Sequence, residues 1–219
     1  MPALIDLSHR IEAGMPTYKG LPAPLMCDYL SRADSRAHYE SGTEFAIQRI
    51  EMVGNTGTYI DSPFHRYADG IDLAGLRLDQ LAHLDALVVT PRLTDGMAIE
   101  PGDFGSLDVA GKAVLLNTGW SRHWRTDAYF ENHPFVTEAA ATLLAERRAA
   151  LVGIDSHNID DTRGRSRPSH SILLGRNIPI CEHMAGLDQL PATGARFYAV
   201  PPKLAGFGTF PVRAFALVP

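Results

Sequence analysis

The sequence predicts a mixed α/β domain. Short apolar runs recur between turn residues along the whole chain, and one longer stretch of helix-forming composition separates the fourth run from the fifth. With 45% hydrophobic residues among 219, and no Pro-, Gly- or Ser-rich tract, the chain is large enough to bury a full core, so residues 1–219 read as one domain.

In chain order the runs cover residues 4–7, 45–52, 86–90, 113–117, 151–154, 178–181, 197–200 and 215–218, and their lengths and composition suit strands. The helix spans residues 137–149, with Ala140, Leu143, Leu144 and Arg147 on one side and the Thr137 hydroxyl placed to cap the first turn. Shorter helical turns are expected at 76–84 and 169–174. Segments 8–43 and 155–168, rich in Gly, Pro, Asp and Arg, read as long loops, which in compact domains carry function or form interfaces.

A net charge of -5, with the pair Arg147-Arg148 as the longest cationic run, leaves no electrostatic footprint for nucleic acid or anionic lipid. No apolar run approaches the ~20 residues that span a bilayer, and residues 1–6 hold neither a basic region nor an apolar signal core. A small-molecule partner and a cytoplasmic address are therefore expected. Cys27 and Cys181 give no disulfide framework and no CxxC spacing, which is consistent with a reducing compartment.

The chemistry concentrates in Gly54-Asn55-Thr56-Gly57-Thr58-Tyr59-Ile60-Asp61-Ser62-Pro63-Phe64-His65. In an extended segment Asn55, Gly57, Tyr59, Asp61, Pro63 and His65 point one way, while Gly57 lets the backbone pass close to a ligand and Pro63 fixes the chain direction before His65. Clustered imidazoles and carboxylates are what a divalent-metal hydrolase needs to activate water.

The stretch resembles the His-x-Gly-Thr-His-x-Asp-x-Pro-x-His signature of the cyclase / bacterial kynurenine formamidase family of amide and lactone hydrolases. Gly57, Thr58, Asp61, Pro63 and His65 keep the register, and Asn55 and Tyr59 stand at the two earlier histidine positions. A second likeness is Arg167-Pro168-Ser169-His170-Ser171-Ile172-Leu173-Leu174 followed by Pro179-Ile180-Cys181-Glu182, and weaker matches extend from Ile5-Asp6-Leu7-Ser8-His9 to Ala199-Val200-Pro201-Pro202. The resemblance implies a swivelling β/β/α fold and assembly as a homodimer or homotetramer. It implies catalytic roles for His65, Asp61 and Glu182, and a metal held by Asp61, His170 and Glu182. It further implies hydrolysis of a small amide, an aryl formamide such as N-formylkynurenine in tryptophan catabolism, a lactone or a cyclic imide.

The two edited positions change the chemistry. Asn55 offers a neutral amide oxygen, which suits Mg, Ca or Mn better than Zn, and the Tyr59 phenol, with an ordinary pKa of ~10, stays protonated at neutral pH. Two arrangements stay open. In one, a single divalent ion (Mn, Mg or Zn) sits on Asp61, His170 and Glu182, with His65 or water completing it. In the other the site is metal-free, His65 is the general base, Asp61 or Glu182 orients it, and Asn55 and Tyr59 donate to a developing oxyanion. The alternative function is a catalytically degenerate member that binds small molecules. Asn55, Tyr59, Arg66 and Trp120 are the candidate substrate contacts, Trp120 as either core or aromatic wall. Arg66, and the group Arg163, Arg165 and Arg167, either lie in solvated loops or grip a substrate carboxylate. Asp155 is expected to end a strand and hydrogen-bond the adjoining loop.

Overall fold

Continuous apolar runs become central parallel strands, because a strand buried on both faces has no polar side to offer. The computed structural model describes residues 2–93 and 96–219. Along them run β1 (Ala3–Asp6), β2 (Leu25–Leu30), α1 (Arg32–Ser35), β3 (Ile47–Glu51), β4 (Tyr59–Asp61), β5 (Leu84–Val89), β6 (Ala98–Ile99), β7 (Ala113–Leu116) and β8 (Phe135–Val136). After these come α2 (Glu138–Glu146), β9 (Leu151–Ile154), α3 (Pro168–Gly175), β10 (Ile180–Glu182), β11 (Arg196–Tyr198), β12 (Thr209–Pro211) and β13 (Phe215–Val218).

Nine strands form one mixed sheet in the order β1-β13-β11-β5-β7-β9-β10-β4-β12, in which β5, β7, β9 and β10 are parallel and the flanking pairs antiparallel. Alternate residues of the central strands feed two separate cores. Val114, Leu116, Val152, Ile154 and Ile180 pack with Ala140, Leu144, Leu173 and Leu174 of α2 and α3. Ala113, Leu115, Leu151 and Cys181 pack on the other face with Leu73, Leu81, Leu187 and Phe197. Helix α2 starts where the sequence places it, with Thr137 Oγ1 accepting from Ala140 N at 3.3 Å. β2 pairs with β3 as a two-stranded arm whose residues are almost all exposed. None of the helices among the described residues is long and apolar enough to cross a membrane.

The structure differs from the sequence reading in five strands. Segment 8–43 holds β2 and α1 rather than loop alone, and β4, β12, β6 and β8 are strands of only two or three residues, too short for a periodic signal. Segment 155–168 is irregular as expected, and the turn at 76–84 shrinks to a 3₁₀ turn at Leu78–Gln80. Gly57 serves a tight turn rather than a close ligand approach: its φ is +65°, and an added Cβ would lie 2.7 Å from Ile11 Cγ1.

Candidate active site

The site is built where β4 joins β10 to β12. Register sets Tyr59 opposite Glu182 and Pro211, and Asp61 opposite Ile180 and Thr209. Directly paired residues share a face, so Tyr59, Asp61, Glu182 and Thr209 project together while Ile60 and Cys181 enter the core behind them. Both carboxylates are buried, Asp61 at 0% and Glu182 at 1% exposure.

Helix α3 supplies the imidazole that faces them. Pro168 occupies its first turn and Arg167 makes no side-chain cap, so the first-turn amides need another acceptor. Asp160 provides it from the preceding loop, accepting from Ser169 N at 2.7 Å and from His170 N at 3.1 Å. The same carboxylate lies 2.6 Å from His170 Nδ1. A carboxylate there accepts, so Nδ1 carries the proton and Nε2 is left to face Asp61 Oδ2 at 3.6 Å and Glu182 Oε1 at 3.7 Å. Burial alone would lower the His170 pKa, but ion pairing with Asp160, Asp61 and Glu182 outweighs it and pushes the value up to about 10.

Thr209 links Asp61 to the second imidazole. Its hydroxyl touches Asp61 Oδ1 and lies 2.7 Å from His65 Nδ1. A hydroxyl has one proton and ionised Asp61 can only accept, so Thr209 donates to Asp61 and receives from His65 Nδ1–H. The lone pair of His65 is thereby left on Nε2, in a side chain that is 35% exposed and lines a cavity. Burial would raise the Asp61 pKa, yet the neighbouring His65 and His170 hold it below the usual carboxylate range. Glu182 moves the other way: burial, with Asp61 adding to it, raises its pKa against the opposing pull of His170.

Glu182 Oε1 accepts from Ile159 N at 2.6 Å, and Oε2 accepts from the Tyr59 hydroxyl at 2.5 Å. Tyr59 is fully buried, and burial together with Glu182 holds its phenol well above the ordinary value. It therefore braces Glu182 and lies outside the cavity wall.

The cavity, of about 270 Å³, is lined by Asn55, His65, Arg66, His170 and Glu182, with Tyr18 and Leu21 from the N-terminal segment and Asn158 and Arg167 from the 155–168 loop. The structure thus gathers His65, His170, Glu182, Asn55 and Arg66 around one space, with Asp61 beneath them. Trp120 is not brought there. It is buried, donates Nε1 to Tyr129 O at 3.0 Å and packs on His123, which is the core alternative rather than the substrate wall. Asp155 does end a strand and receives Thr118 N and Gly119 N, each at 2.8 Å. Thr209 and the orienting role of Asp160 have no signal in the sequence, since both act through partners distant along the chain.

The donor set fits one divalent ion. Asp61 and His170 can hold the ion with His65, the three offering ligand atoms within 4.8 Å of one another, or with Glu182, whose Oε1 lies 3.7 Å from His170 Nε2, and the second set leaves the His65 lone pair for a proton. Asp61 Oδ2 is buried with no hydrogen-bond partner among the described residues. Such an orphaned carboxylate oxygen is costly unless a cation or proton meets it. The spacings from His170 Nε2 to Asp61 and Glu182 are those that donors take around a common ion with bonds of roughly 2 Å. A second ion does not fit in the same way, because Asn55 and Tyr59 offer no imidazole and the Tyr59 hydroxyl is spent on Glu182.

The family model described as "Putative cyclase" matches residues 5–161, well over half of the chain. The chain belongs to the cyclase family. The match contains Asp61 and His65 and ends before His170 and Glu182. Solved cyclase-like structures superpose along the entire chain. Isatin hydrolase A from Labrenzia aggregata, bound to benzyl benzoate, is 23% identical with a TM-score of 0.82, covering 99% of this chain and 94% of that one. A structure described as a potential metal-dependent hydrolase with cyclase activity is 26% identical with a TM-score of 0.81, covering 100% and 99%. Isatin hydrolase A from Ralstonia solanacearum is 21% identical with a TM-score of 0.80, covering 100% and 92%. This cyclase-family chain therefore has the single α/β domain and curled mixed sheet of those proteins.

Proposed function

We propose that this cyclase-family protein is a hydrolase of small amides, aryl formamides, lactones or cyclic imides, using one divalent ion on Asp61, His170 and Glu182 and His65 as the general base. The carrying observation is the Asp61–Thr209–His65 chain, which leaves the His65 Nε2 lone pair at the cavity. His65 takes the proton from water as it attacks the scissile carbonyl and returns it to the leaving nitrogen or oxygen, a role worth roughly 10²- to 10⁴-fold in rate. Asp160 holds His170 in the tautomer whose Nε2 is free to bind the ion, and Tyr59 holds Glu182 in place. Asn55 lines the cavity, and in this reading its amide donates to the substrate oxygen. When bound, the ion lowers the pKa of water and polarises the carbonyl. The neighbours described as isatin hydrolases and as a metal-dependent hydrolase support the reaction class.

The test is elemental analysis of untagged protein together with turnover of formanilide, isatin and simple lactones after loading with Mn, Mg or Zn. Stoichiometric metal lost in Asp61→Ala, with turnover falling at least 100-fold in His65→Asn, is the expected result. Full turnover in His65→Asn overturns the base assignment, and absence of both metal and turnover favours the small-molecule binding reading.

The same proposal includes self-association through the β2–β3 arm. Leu25, Met26, Tyr29, Ile47 and Ile50 are exposed apolar side chains on that one arm, and Tyr39 and Phe45 add to them. Patches of this kind mark protein interfaces, and a homodimer or homotetramer would cover this one. Light scattering on wild type and Ile47→Lys checks it, with monomeric wild type as the refuting result.

A further inference from the structure

Eight arginines close onto a carboxylate of the chain itself: Arg10, Arg36, Arg49, Arg77, Arg125, Arg163, Arg196 and Arg213. Arg66 and Arg167 have no such partner among the described residues, and both line the cavity above the reacting groups. Each is fixed by part of its guanidinium. Arg66 donates Nε to Ser171 Oγ at 3.1 Å and lies 5.2 Å over the Tyr67 ring, and its Nη1 and Nη2 have no hydrogen-bond partner among the described residues. Arg167 spends Nη1 on the carbonyls of Asp161, Gly164 and Ser166 and also faces the Tyr18 hydroxyl, and its Nε and Nη2 meet no carbonyl or carboxylate among the described residues.

Both anchors belong to the segment that carries His170. Ser171 follows His170 in α3 and Arg167 immediately precedes the helix, so one rigid element holds the forks in fixed relation to the His170 imidazole that faces Asp61 and Glu182. The charge pattern is directional as well. The floor of the cavity holds Asp61 and Glu182, and the two forks stand at its walls. The two forks attract an anionic group on a substrate to the walls, which leaves the neutral scissile carbonyl to face His65. The volume, about 270 Å³, is at the low end for ligand pockets and suits a small molecule with one such group.

We propose that Arg66 and Arg167 form a carboxylate clamp, so that the substrates of this site are small amides or lactones bearing a carboxylate. This rests on the hydrolase reading above and specifies its substrate class. Planar guanidinium forks recognise carboxylates by paired hydrogen bonds that a lysine cannot copy.

The experiment has a binding arm and a turnover arm. Calorimetric titration with anthranilate, and with aniline as the uncharged control, is run on chelator-treated wild type, Arg66→Gln, Arg66→Lys and Arg167→Gln. Removing the metal prevents an ion from taking the carboxylate. Anthranilate binding that is absent for aniline and weakens about 10- to 100-fold in Arg66→Gln, with little rescue in Arg66→Lys, is the expected result. Equal binding by wild type and both glutamine variants overturns the clamp, as does failure of wild type to bind anthranilate. In the turnover arm, metal-loaded enzyme is offered 2-formamidobenzoate and formanilide. A preference for the acid that is lost in Arg66→Gln through a raised KM supports the clamp, and equal kcat/KM for the two overturns it while leaving the hydrolase reading intact. Arginine-dependent anthranilate binding without turnover of either compound upholds the clamp and counts against the hydrolase reading.

Discussion

Replacing Asp160 by Asn tests whether this loop carboxylate organises the site. Asp160 is fully buried and takes three hydrogen bonds, from Ser169 N at 2.7 Å, His170 N at 3.1 Å and His170 Nδ1 at 2.6 Å. An asparagine has one oxygen for these donors and turns an amide N–H₂ against the others, and it leaves the His170 imidazolium short of its closest counter-charge. Breaking a buried pair by removing one partner costs about 3–5 kcal/mol. The cost depends on pH. The His170 pKa of about 10 in the folded chain exceeds the ordinary imidazole value of 6.5, so its stabilising contribution is complete below 6.5 and disappears as pH rises through 10. The whole difference corresponds to an upper limit of roughly 5 kcal/mol at 1.36 kcal/mol per pH unit. Urea unfolding of chelator-treated wild type and Asp160→Asn at pH 6, 8 and 10 should therefore show a gap that is largest at pH 6 and narrows toward pH 10. Metal affinity of the variant should fall about 10- to 100-fold, the usual consequence of losing a carboxylate that orients a ligating histidine. A gap below about 0.5 kcal/mol at pH 6, within the range of an ordinary surface substitution, or one that widens with pH, would refute the reasoning.

Three further outcomes are expected. Burial lowers the His9 pKa to about 4 and that of His157 to about 3, and holds His183 well below the ordinary imidazole value. Their unfolded forms bind protons first, so stability should fall as pH drops below 6.5, by up to about 1.4 kcal/mol per pH unit for each, and a flat urea midpoint from pH 6.5 to 4.5 counts against this. Trp120→Phe should cost about 1 kcal/mol through the lost bond to Tyr129 O and leave KM unchanged, whereas a several-fold rise in KM would return Trp120 to the substrate wall. Gly208→Ala should reduce turnover more than any distant alanine, because its Cβ would lie 2.5 Å from the backbone N and Cα of His65. Wild-type kinetics in that variant would show that His65 need not be held where it is.

The sequence reveals most where local chemistry decides the outcome. Thr137 caps α2 because a hydroxyl three residues ahead of Ala140 is enough, and the runs at 113–117 and 151–154 become central strands because they have no polar side. The motif likewise brings Asp61 and His65 together, and the second match adds His170 and Glu182. What stays hidden depends on pairing across the chain. β4 and β12 are recognisable only as neighbours of each other and of β10, and it is their register that puts Thr209 beside Asp61, 148 residues away in sequence. Asp160 looks like one of several loop acids until α3 needs an acceptor for its first turn.

Position 59 acquires a physical meaning in this arrangement. An imidazole at position 59 would offer a metal ligand, whereas the Tyr59 phenol, held protonated by burial and by Glu182, offers a hydrogen and directs it to Glu182 Oε2. A tyrosine there fixes a carboxylate where a histidine would offer a donor to a cation. Burying Glu182 beside Asp61 is tolerable only because Ile159 N and the Tyr59 hydroxyl satisfy its oxygens and the His170 imidazolium, or an ion in its stead, compensates the charge. Phenylalanine at 59 would leave Oε2 buried without a donor. In Tyr59→Phe we therefore expect a loss of about 1–3 kcal/mol, measured by urea unfolding of the chelator-treated protein, together with weakened metal binding. If Tyr59→Phe instead matched wild type in both, the phenol would be filling space and Glu182 would be held by other means.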